Sequence, residues 1–147
     1  MLDRRAGGFF DATDGAVGPE HYRQTAVTAA AIAALEARLP GDFLVYRCQT
    51  GRLHQASVRQ ARAAFREHEF GLDAFAIGCF LLTHPERLVG TALGIDSAGS
   101  EYSDASRHFT LTPYWSSYDL ADGLGLGVYD SDRAPLLTGS ASGLSAP

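Results

Sequence analysis

The chain has 147 residues and a formal net charge of −5, and all 12 of its basic side chains are arginines. That length suits one domain, able to bury roughly two thirds of its unfolded surface without a metal or disulfide staple. The negative balance excludes a general nucleic-acid coat, which gains affinity through a large cationic excess; the longest apolar run, Ala74 to Leu82, is about half of what a bilayer span needs, so no membrane role is indicated.

The absence of lysine, with abundant Ala and Gly, fits GC-rich coding and points to a bacterial source. Cys48 and Cys79 lie far apart in apolar surroundings, so the sequence predicts reduced thiols, with Cys79 in the core, and a cytoplasmic location. No signal-peptide pattern opens the chain.

Residues 1–18 mix Gly, Asp and Thr without periodicity and read as a loose N-terminal arm. Gly18-Pro19-Glu20 then marks a helix start, since proline fits the first helical position and an acid suits the positive end of the dipole. That helix is expected to reach about Leu39, before Pro40-Gly41, with Ile32 and Leu35 on its inner stripe. Phe43 to Tyr46 is short, apolar and rich in β-formers, the pattern of a buried strand. A second helix is expected over about Gln55 to Glu69, with Val58, Ala61 and Phe65 inward and Arg59, Arg62 and Arg66 sharing another face. Leu72 to Thr83 is apolar at nearly every position; its length and the His84-Pro85 stop favour a third helix over a strand.

Past residue 90 the pattern changes. Thr91 to Asp96, Arg107 to Tyr114 and Leu124 to Tyr129 are short segments between Ser, Gly and Asp clusters, as in an antiparallel meander. Residues 139–147 are small and polar and read as a flexible tail that contributes little to the fold. The expectation is a single α+β domain over residues 19–138. Two or three helices pack on one face of a mainly antiparallel sheet, with a C-terminal β-meander.

Charge is distributed unevenly. Residues 47–69 carry Arg47, Arg52, Arg59, Arg62 and Arg66, whereas residues 96–133 hold Asp96, Glu101, Asp104, Asp119, Asp122, Asp130 and Asp132. Guanidinium forks hold phosphates and carboxylates bidentately, so Arg52, Arg59, Arg62 and Arg66 form a candidate site for an anionic ligand or an acidic protein surface. The plainer reading is the solvated side of an amphipathic helix. Tyr114, Trp115 and Tyr118 form a candidate aromatic contact patch, in a segment that reads partly as a loop; filling the layer between sheet and helices is the alternative.

Asp96, Glu101, Asp104 and His108 could converge across a hairpin as an acid–base or divalent-ion site, although their spacing fits no calcium loop and ordinary turn chemistry explains the same residues. Cys48 with His54 is a candidate nucleophile pair, set against a cysteine's usual role as a small buried hydrophobe. His21 and His84 read as surface and cap residues. Val45-Tyr46-Arg47 resembles the first strand of toxin-type ADP-ribosyltransferases, in which an arginine grips the NAD phosphates. The similarity covers three residues, and the Ser-Thr-Ser strand and Glu/Gln-x-Glu pair are missing, so no family follows.

No metal and no cofactor is implied. The preferred reading is a non-enzymatic binding module, with a protein partner or a second copy favoured over nucleic acid and a small anionic ligand as a further option. The alternative is a small hydrolase or metal-dependent enzyme using the Asp/Glu/His cluster.

Overall fold

The computed structural model describes residues 9–38, 41, 47–52, 55–87, 94–104, 107–118 and 123–145. Among them, three helices accompany a nine-stranded mixed sheet, an α+β architecture in which antiparallel pairs predominate.

The strands are β1 (Phe9–Asp11), β2 (Tyr22–Gln24), β3 (Arg47–Arg52), β4 (Glu69–Gly71), β5 (Gly94–Asp96), β6 (Ser100–Tyr102), β7 (Leu111–Tyr118), β8 (Gly123–Asp130) and β9 (Thr138–Leu144). The main path runs β1-β8-β7-β5-β9-β3; β4 also pairs with β9, and β6 joins β2 to β7. Among the described residues, only β1·β8 and β5·β9 are parallel. The helices are α1 (Ala26–Arg38), α2 (Val58–Ala64) and α3 (Ala74–Thr83), followed by a 3-10 turn, Pro85–Arg87.

Side chains alternate between the two faces of a strand, and register separates those faces here. Ile95 pairs with Trp115, Trp115 with Leu126, and Ile95 with Gly139, placing these positions on one face. Its side chains join Leu35 of α1, Ile77 and Leu81 of α3, and Phe70, Leu72, Leu124 and Ala141 in the apolar core. The Trp115 indole donates to Ala74 O at 3.0 Å and lies on Gly78, where a Cβ would stand 3.1 Å from the ring. Asp96, Thr138, Ser140 and Ser142 occupy the other face, and all four are buried.

Several boundaries differ from expectation for local reasons. The first helix begins at Ala26 and not at Pro19, because Thr25 supplies the cap, accepting from Thr28 N at 3.2 Å, while Tyr22–Gln24 pairs with β6. The second helix ends at Ala64: Phe65 is extended, and Arg66 N turns back to donate to Glu69 Oε2. Its start is fixed by a capping box between Ser57 and Gln60. The third helix forms as expected, with Asp73 capping it through Ala76 N at 2.6 Å. Trp115 and Tyr118 lie within regular strand β7, correcting the partial loop.

The two expected loose ends need the largest correction. Phe9–Asp11, within the supposed arm, pairs with Leu124–Leu126. The supposed tail, residues 139–147, supplies most of β9, which pairs with β3, β4 and β5. Its Ala141 and Ser142 are fully buried. Small side chains make this possible: a Cβ at Gly143 would come within 2.5 Å of the Phe70 ring. The expected strand Phe43 to Tyr46 and His54 lie outside the described residues.

Candidate functional site

The three helix-region arginines have three different environments. Arg59 is held bidentately by Asp132 across the surface, Nη2 to Oδ2 at 3.1 Å together with Nε to Oδ1. Both side chains are more than half exposed. The hydrogen bond and charge of Arg59 keep the Asp132 carboxyl below the usual aspartate range.

Arg62 is half-buried. It donates Nε to Ala98 O at 2.8 Å and Nη2 to Ser100 O at 2.6 Å, with Glu101 at 3.7 Å. Burial lowers its pKa, opposed by the Glu101 charge. Glu101 also accepts from Arg23 Nε at 2.8 Å, and Arg23 lies 3.9 Å over the Phe109 ring. Arg66 falls past the helix end and is exposed.

The expected common face of Arg59, Arg62 and Arg66 is therefore corrected: one arginine is surface-paired, one is a half-buried brace and one is off the helix. Two charge contacts between the basic middle and the acidic second half, Arg59 with Asp132 and Arg62 with Glu101, join α2 to the loop after β8 and to β6. Arg52 stands in β3 opposite Ser140, next to a register shift between Gln49 and Arg52.

The expected acid–base residues occupy different parts of the molecule. Asp96 is fully buried in β5, its Oδ2 accepting from Thr138 Oγ1 at 2.9 Å. Glu101 is engaged by two arginines, and Asp104 and His108 are exposed. Among the described residues, no three His, Cys, Asp or Glu side chains come together as a group able to hold a metal ion. The Tyr129 hydroxyl lies 3.4 Å from Thr138 Oγ1, and burial followed by the Asp96 charge pushes its pKa far upward. Tyr114 tilts against Tyr129 with ring centroids 5.3 Å apart, over Gly127 and Gly94. Tyr114 is half-buried and Trp115 is core; Tyr118 pairs with Gly123 at the end of β7. The aromatics thus divide between the two faces of the sheet and form no single patch.

The exposed apolar surface lies elsewhere. Phe75 is 78% exposed on α3 and Val27 67% on α1. Cys79, one helical turn after Phe75, is a free, exposed thiol, which corrects its expected core position; Cys48 is also free and is half-buried. The N-terminal ends of the two helices are tied together. Thr28 Oγ1 donates to Gly71 O at 2.9 Å, and Gln24 Nε2 to the capping carboxylate of Asp73. Tyr22 OH and Ser100 Oγ lie 2.7 Å apart in the same joint, and both reach Ala74 N. α3 carries no charged residue, and α1 carries charge only at Glu36 and Arg38. Sequence reasoning missed Phe75 because in an all-apolar helix no periodicity marks the outward side. Leu136 and Leu137, before β9, are also exposed.

No helix among the described residues is long and apolar enough to cross a membrane. No family model matches the chain, and no curated protein or solved structure is significantly similar to it.

Proposed function

We propose that the chain is an interaction module that binds a protein partner through the outer side of its α1–α3 helix layer. The observation that carries this reading is Phe75, a phenyl ring 78% exposed at the joined N-terminal ends of two helices, with Val27 at the neighbouring end. Large aromatics concentrate at contact surfaces because they bury much area for few rotatable bonds.

Cys79 gives a direct test. A benzophenone maleimide attached there and irradiated in bacterial extract, or at high protein concentration, should give a discrete crosslinked protein or dimer that is lost in Phe75→Asp. Crosslinking indifferent to Phe75→Asp, or no discrete product in either setting, would reject the reading.

A further inference from the structure

We propose that the open edge of β3 accepts an extended, acidic protein segment as an added antiparallel strand. Among the described residues, β3 is hydrogen-bonded on one side only, to β9, and ends the strand path. An edge of this kind leaves backbone donors and acceptors for a further strand. Arg47, Gln49 and Thr50 are exposed, and register sets positions 47, 49 and 52 on one face, opposite Leu144, Ser142 and Ser140.

Charge selects the occupant. In a two-fold pairing of two β3 edges in full overlap, position 47 meets position 52, arginine against arginine, so a second copy is disfavoured. Charged side chains and a bulge are ordinary means of keeping edges from pairing indiscriminately. The segment these arginines do not repel carries carboxylates at alternate positions. Unlike Arg59 and Arg62, Arg47 has no ion-pair partner among the described residues. This surface is separate from the helix layer, so Phe75→Asp should leave it intact, and either proposal can fail alone.

The probe is a fluorescein-labelled peptide of three Glu-Val repeats, followed by anisotropy at low and physiological salt. Saturable binding is expected, weakened by salt and on the order of tenfold weaker in Arg47→Glu. A Lys-Val repeat should not bind. Neither should a Glu-Pro repeat, which keeps the charge but lacks the N–H groups for a strand. Equal binding of Glu-Pro, an unchanged Arg47→Glu protein, or no binding of Glu-Val at low salt would each overturn the proposal.

Discussion

Helix α2 and helix α3 exchange the roles that composition suggests for them. α2 carries Arg59 and Arg62 and has the pattern of a charged outer face, yet Arg62 is a half-buried brace, donating to Ala98 and Ser100 carbonyls. α3 is apolar throughout and has the pattern of core, yet it turns Phe75 and Cys79 to solvent. A charged side chain turns inward where backbone carbonyls serve it better than water. An apolar side chain, likewise, is core only if the sheet has room for that side of the helix.

β9 extends the same point to a segment that looked dispensable, and its removal should have the largest effect. Truncation after Leu137 deletes the strand that links β3, β4 and β5. It should abolish cooperative unfolding, because the loss exceeds the roughly 5–15 kcal/mol that holds a domain folded. Circular dichroism melting would show it, and a truncated protein that melts like the full chain would remove β9 from the account.

Arg62→Met should destabilise by about 2 kcal/mol, since it leaves buried carbonyls without donors, whereas Arg59→Gln should leave the denaturation midpoint essentially unchanged, as for most exposed pairs. Equal effects would mean that the two arginines share one environment.

Acid should separate the two further. Burial raises the Asp11 pKa, but the Thr13 and Gly15 hydrogen bonds outweigh it and hold the carboxyl below its usual value; Asp132 is held low by Arg59. Folded values below unfolded ones mean that these contributions are complete above the ordinary aspartate range and are lost as pH falls through the depressed values. A urea midpoint followed from neutral pH into that range should therefore fall, and slightly less in Arg59→Gln. The smallest effect belongs to Phe75→Ser, an exposed position whose replacement should move stability by no more than about 0.5 kcal/mol.

Much of this fold is legible in the residues themselves. His84-Pro85 ends α3 where the residues predict a stop, and the strand-like segments Arg107 to Tyr114 and Leu124 to Tyr129 fall partly on the β7·β8 pair, whose first strand begins only at Leu111 and runs on to Tyr118. β9 is not legible, because Thr-Gly-Ser-Ala-Ser-Gly-Leu offers little apolar area. What holds it is backbone pairing on both sides and the close approach of Phe70 to Gly143, neither of which leaves a periodic trace. Arg59 and Arg62 were legible as cations but not as paired ones, since Asp132 and Glu101 lie 73 residues away in the first case and beyond the sheet's reordering in the second. Phe75 was hidden for the opposite reason, lying among too many apolar neighbours to stand out.

The outward orientation of α3 is the claim on which the functional reading stands, and thiol reactivity tests it most directly. Native protein treated with a small maleimide and read residue by residue by mass spectrometry should modify Cys79 at nearly the rate of an unfolded thiol. Cys48 should lag well behind, because it is half-buried and burial raises its thiol pKa. Protection of Cys79 until the protein is denatured would place Phe75 and its neighbours in the interior and rule out an outward-facing α3.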